Sequence, residues 1–177
     1  LYVKKLKMTN MILVNSILLN LLKGVPYDAA KEDLKQNGIA LDIDRPMLVF
    51  VAEIDSYSDK NNYHGRYLAM LKIEEVFHRY LSEKFICNYA SDNEQTMIWI
   101  LQSQDAHDNK GLLYCKQTLE VIQDVALDTM DISLSIVYED FIPYESLSAT
   151  YRSEYAVLVQ LRMQGARQVL ANTAFYA

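Results

Sequence analysis

The sequence predicts an α+β protein: an antiparallel sheet of the split βαβ (ferredoxin-like) kind, covering helices, and a helical extension ahead of them. Three observations point there. Two apolar runs of strand length, at 47–52 and 97–101, contain no polar residue, as strands covered on both faces do. Helix-period segments separate the strand-like ones. The order after the leading helices reads β, α, β-hairpin, α, β, α, β, which places those two apolar strands in the middle of such a sheet.

The chain opens with a helix over 2–23, stopped by Gly24. Leu6, Leu13, Ile17 and Leu21 mark one face and Met11, Leu18 and Leu22 another, so the helix is apolar on most sides and is buried or paired. Val3, Leu6, Asn10, Leu13, Ile17 and Asn20 also follow a 3-4-3-4 spacing, which fits a short coiled-coil seam with polar register positions. Packing within the chain is the competing reading. On the paired reading Leu6, Leu13 and Ile17 are the interface residues, and the partner is a neighbouring domain or a second copy.

A short helix over 29–36 ends at Asn37-Gly38, and a strand follows Pro46 and closes in Glu53-Ile54-Asp55. After a polar loop over 59–65, a helix spans 66–84 with Met70, Ile73, Phe77 and Tyr80 on its stripe. Strands at 86–90 and 96–102 form a hairpin around a turn at 91–94. A helix over 110–127 buries Leu112, Cys115, Leu119, Ile122 and Val125. At 132–138 apolar residues alternate with Ser133 and Ser135, marking a strand with one polar face. A helix over 146–164, with Leu147, Tyr151, Tyr155, Leu158 and Leu161 inward, and a strand over 167–175 complete the chain. The division expected is 1–45 for the leading helices and their connection, and 46–177 for the α/β domain.

With 177 residues, 51% of them apolar, the chain can bury a core without staples. A net charge of −6 argues against a nucleic-acid surface; only Lys4, Lys5 and Lys7 make a locally basic stretch. Cys87 and Cys115 have no CxxC spacing and no nearby histidine, so they fill core space in a reducing, cytoplasmic setting. The apolar segment 11–22 is too short, and too interrupted by Asn15, Ser16 and Asn20, to span a bilayer. The first residue is Leu1, already in a helical pattern, which reads as a piece of a longer protein.

Several motifs in order carry a family resemblance. Leu21-Leu22-Lys23-Gly24 closes the first helix, Gly38-Ile39-Ala40-Leu41 follows the second, and Ile54-Asp55-Ser56-Tyr57 ends the first strand. The late helix carries Leu147 through Ala156 with Tyr151 and Tyr155, and Gly165-Ala166-Arg167-Gln168-Val169 opens the last strand. In this the chain resembles the degenerate GGDEF-like regulatory module of bacterial AraC-family transcription regulators of the response-regulator type. The resemblance implies a two-component signalling role, relay or dimerisation on behalf of a helix-turn-helix region elsewhere in a parent protein, no catalytic residues and no cofactor. Active GGDEF cyclases carry Asp-x-Asp where this chain has Glu53-Ile54-Asp55, and their signature glycines sit in the hairpin turn, here Ala90-Ser91-Asp92-Asn93-Glu94-Gln95.

The rival reading is an atypical metal-dependent nucleotide cyclase or a small-ligand sensor. Its metal candidates are Glu53, Asp55, Asp92 and Glu94, because such chemistry needs carboxylates that hold divalent metal against triphosphate. The turn lacks the glycines that let backbone cradle phosphate, and Lys60, Arg66 and Lys72 come with no Gly-rich loop. His64, His78 and His107 have no ligand partner at helical spacing, and Ser56 and Ser148 lie in no nucleophile elbow. Thirteen tyrosines are enough to line a ligand cleft, but packing accounts for them as well.

Overall fold

The computed structural model describes the backbone of residues 2–58, 65–92, 95–164 and 169–171. Ten elements follow in order: α1 (Tyr2–Leu22), α2 (Tyr27–Gln36), β1 (Leu48–Tyr57), α3 (Arg66–Leu81), β2 (Phe85–Asp92), β3 (Thr96–Ser103), α4 (Gly111–Met130), β4 (Ile132–Tyr138), α5 (Tyr144–Gln164) and β5 (Val169–Ala171). The strands form one sheet in the order β2-β3-β1-β4-β5. The first four pair antiparallel, and β5 joins β4 in parallel. The class is therefore α+β, with β1 and β3 inside the sheet.

The unbroken apolar runs follow from covering both faces. Side chains alternate across a strand, so Leu48, Phe50, Ala52 and Ile54 of β1 meet α3 and α4, while Val49 and Val51 meet α1, α2 and α5. On β3 the split is Met97, Trp99 and Leu101 against Ile98 and Ile100. Phe50, Phe77, Tyr89 and Trp99 form an aromatic cluster on the α3/α4 side, with centroids 4.9–6.3 Å apart, within the range favourable for ring pairs. The second half of α1 and all of α2 belong to the opposite core through Leu18, Leu21, Leu22, Ala30 and Leu34.

Local chemistry sets the ends of elements. Gly24 stops α1 at φ 86° with the Ser148 side chain 3.4 Å from where a Cβ would stand, so only glycine fits without strain. Asp131 ends α4 in the left-handed region at φ 55°, a conformation that Asp tolerates better than most residues.

The structure departs from the sequence reading at four places. β1 runs on to Tyr57, pairing with β4 across a register shift between Ile54 and Ser56. The serine face of β4 is not solvated, because α5 covers it and Ser135 is buried. The inward stripe of α5 is rotated: Thr150, Glu154 and Val157 are buried with Leu147, Leu158 and Leu161, while Tyr151 and Tyr155 are half-buried. On α1, Ile17 is 6% exposed inside the chain's own core and Leu13 is 46% exposed. Ile17 is thus not at a surface, and the Leu6 side chain lies outside the described residues. So do the loop 59–64, the turn residues 93–94 with Glu94, and most of the last strand. Among the described residues no helix is long and apolar enough to cross a membrane.

Candidate functional site

Of the carboxylates singled out for metal chemistry, Glu53, Asp55 and Asp92 come to the α5 side of the sheet. Asp92, Thr96, Glu53 and Ser135 occupy one row across β2, β3, β1 and β4. Asp92 and Glu53 are two strands apart, about 10 Å at the backbone, and they do not converge.

Glu53 is buried, and both its oxygens are taken. Arg162 of α5 donates from Nε to Oε1 at 2.8 Å and from its terminal nitrogen to Oε2 at 2.8 Å. Such a fork-to-fork pair satisfies charge and geometry together. Arg162 supplies the positive charge that a metal ion supplies at an open carboxylate. Asp55, half-buried, accepts a 2.8 Å bond from Ser135 Oγ. Burial and the neighbouring Glu53 push its carboxyl up, while bonds from Ser135 and Ser133 and the Arg66 charge oppose them. Asp92 is exposed, with the Tyr151 hydroxyl 3.5 Å from its Oδ2, and the Tyr151 phenol is pushed up to about 12 by burial and by Asp92. Among the described residues no three His, Cys, Asp or Glu side chains are grouped so as to hold a metal ion.

One acid on this side escaped the sequence reading. Glu154 of α5 is fully buried, and neither of its carboxylate oxygens has a hydrogen-bond partner among the described residues. Burial, then the Glu139 charge, pushes its carboxyl well up, which favours the protonated form. A charged residue inside a helical pattern reads as the solvent face, so no sequence signal singles it out. Both cysteine thiols are pushed up to about 12, mainly by burial. They are not the low-pKa, electropositive thiols of reactive sites.

Concavities lie elsewhere among the described residues. One, of about 580 Å³, lies at the α1–α2 turn between Tyr27, Asp44, Arg45 and Tyr144. Several of its polar groups are already bonded: the Tyr27 hydroxyl donates to Asp44, Lys31 reaches Asp44 at 3.0 Å, and the Tyr144 hydroxyl donates to the Val25 carbonyl. A second, of about 270 Å³, is lined by Arg45, Ser103, Asp105, Asp108 and Phe141. The third, of about 610 Å³, is an apolar groove between α1 and α3, with Met11, Val14, Tyr67, Met70 and Leu71 on its walls.

Comparison of the chain with protein-family models gives no match, and comparison with curated proteins gives none either.

Proposed function

We propose that this chain is a non-catalytic regulatory module that relays a signal or an assembly state to a DNA-binding domain elsewhere in a parent regulator. The reading rests on the resemblance to the GGDEF-like modules of AraC-family proteins. The observation that carries its non-catalytic part is the Glu53–Arg162 pair: the first acid of the Glu53-Ile54-Asp55 motif is closed by a guanidinium held on α5. A metal ion would have to displace that arginine and take up a carboxylate buried beneath a helix. The strand order β2-β3-β1-β4, with α3 and α4 together on one face, agrees with a split βαβ sheet of the ferredoxin-like and GGDEF-like kind.

Incubation with GTP or ATP and Mg²⁺ or Mn²⁺, followed by chromatography of the nucleotides, tests the reading. The expected result is no cyclic or condensed product above the protein-free blank. Turnover that disappears in Asp55→Ala would replace it with the cyclase reading.

A further inference from the structure

The first half of α1 carries apolar side chains that its own fold does not cover. Val3, Met11 and Ile12 are 66–69% exposed, and Leu13 is nearly half exposed. The facing stretch of α3 presents Tyr67, Leu68 and Leu71, also exposed. Between them runs the groove of about 610 Å³, floored by Met70 and Tyr89. Contiguous apolar surface of this kind marks an interaction site.

Charge identifies the occupant. The first 23 residues hold Lys4, Lys5, Lys7 and Lys23 and no acid, whereas the chain as a whole stands at −6. Lys4 and Lys5 are exposed at the start of α1. Glu74 lines the groove, half-buried, with Glu75 beside it on α3. No cation meets Glu74 among the described residues, and its carboxyl is pushed up by burial and by Glu75. Lys72, also on α3, does not line the groove. The chain thus carries both an apolar helix with a basic end and an apolar groove with an acidic wall, as a self-complementary two-fold contact requires.

We propose that the α1/α3 groove seats a second copy of this chain, the α1 helices of the two copies packing antiparallel with Lys4 and Lys5 of each against Glu74 of the other. From Val3 to Val14 a helix rises about 16 Å, enough to carry the basic end past the groove of its own copy to that of its partner. Each charge pair then occurs twice, and the exposed residues of both α1 helices and both α3 helices are covered together. The contact goes beyond the regulatory reading: a monomer would remove it and leave that reading standing, while nucleotide turnover would do the reverse.

Sedimentation velocity on the full chain at 5–200 µM (about; spanning weak to moderate affinity) tests it, with circular dichroism to verify folding of each variant. The wild type sediments as a dimer. Glu74→Lys alone, or Lys4→Glu with Lys5→Glu, weakens the dimer about tenfold or more, because like charges then face each other. All three substitutions together restore it to within about threefold of the wild type, since the pairs are re-formed with their signs exchanged. Leu71→Arg, at the apolar wall, gives a monomer. A wild type that stays monomeric across the range overturns the proposal. So does a mass that keeps rising with concentration, which signals an open chain of contacts, and so does a triple variant no better than either parent.

Discussion

Glu154 and Glu53 are two glutamates on the same side of one sheet with opposite solutions to burial. Glu53 is ionic and clasped by Arg162; Glu154 is enclosed with no donor among the described residues, and burial favours its protonated form. The second solution makes stability depend on pH. Below about 4.5, the ordinary value, folded and unfolded chains both carry the proton. Above it the unfolded chain releases the proton while the folded chain keeps it, so stability falls as pH rises, by about 1.4 kcal/mol per pH unit from this group, until the folded carboxyl titrates. Asp55 and Glu74 are raised as well, so the informative quantity is the difference from Glu154→Gln, which has no proton to hold. Urea midpoints at pH 5.5 and 7.5 are expected to drop further with pH in the wild type than in Glu154→Gln. Parallel losses in the two proteins would mean that Glu154 is ionised in the fold.

At the scale of elements, α1 closes a sheet edge with one side chain. β2 is an outer strand, and outer strands expose unpaired N–H and C=O groups. Asn15 meets both groups of Ser91: its Oδ1 accepts from the Ser91 N–H at 2.8 Å, and its Nδ2 donates to the Ser91 carbonyl at 3.3 Å. Asn15→Ala is expected to cost about 1 kcal/mol and to speed hydrogen exchange of the Ser91 amide in native conditions. Asn15→Asp keeps the acceptor alone, so it protects that amide but lowers the melting temperature. An unchanged exchange rate in Asn15→Ala would mean that other contacts hold the edge. This bracket also shows why the sequence was readable only in part. The strands could be placed because unbroken runs such as Leu48–Ala52 and Met97–Leu101 admit little else, and α3 and α4 followed from period alone. Asn15 in an apolar helix looked like an interruption, although its partner is a strand 76 residues away. On α5 the tyrosines at 151 and 155 drew the stripe one position off, because a half-buried aromatic and a core aromatic look alike in a pattern. The acids of Glu53-Ile54-Asp55 were locatable, but the arginine that occupies one of them lies 109 residues on and carries no motif.

Across the whole molecule, one sheet separates two cores, and β1, β3 and β4 contribute side chains to both. Apolar packing fills the α3/α4 side. The other side mixes apolar residues near α1 and α2 with a polar row under α5, where Ser135, Asp55, Glu53, Arg162 and Glu154 lie. Glu53 with its arginine, Asp55 and the buried Glu154 are therefore all on the face that the N-terminal helices help to close. The strand order has a consequence in time as well as in space. β2 and β3 are joined by a connection of few residues, Asp92 pairing with Thr96, so they can meet as soon as that short loop closes. The central strand has no such neighbour: Val51 must find Ile98 on one side and Val137 on the other, and closing loops of that length comes before any reward in contacts. Pulse-labelled exchange during refolding is expected to protect the β2–β3 amides first and the β1–β4 amides last, and the reverse order would contradict this route. The strand at the centre of the finished molecule is then among the last to be enclosed, and until it is, its apolar stretch from Leu48 to Ala52 stands open to whatever other chain is near.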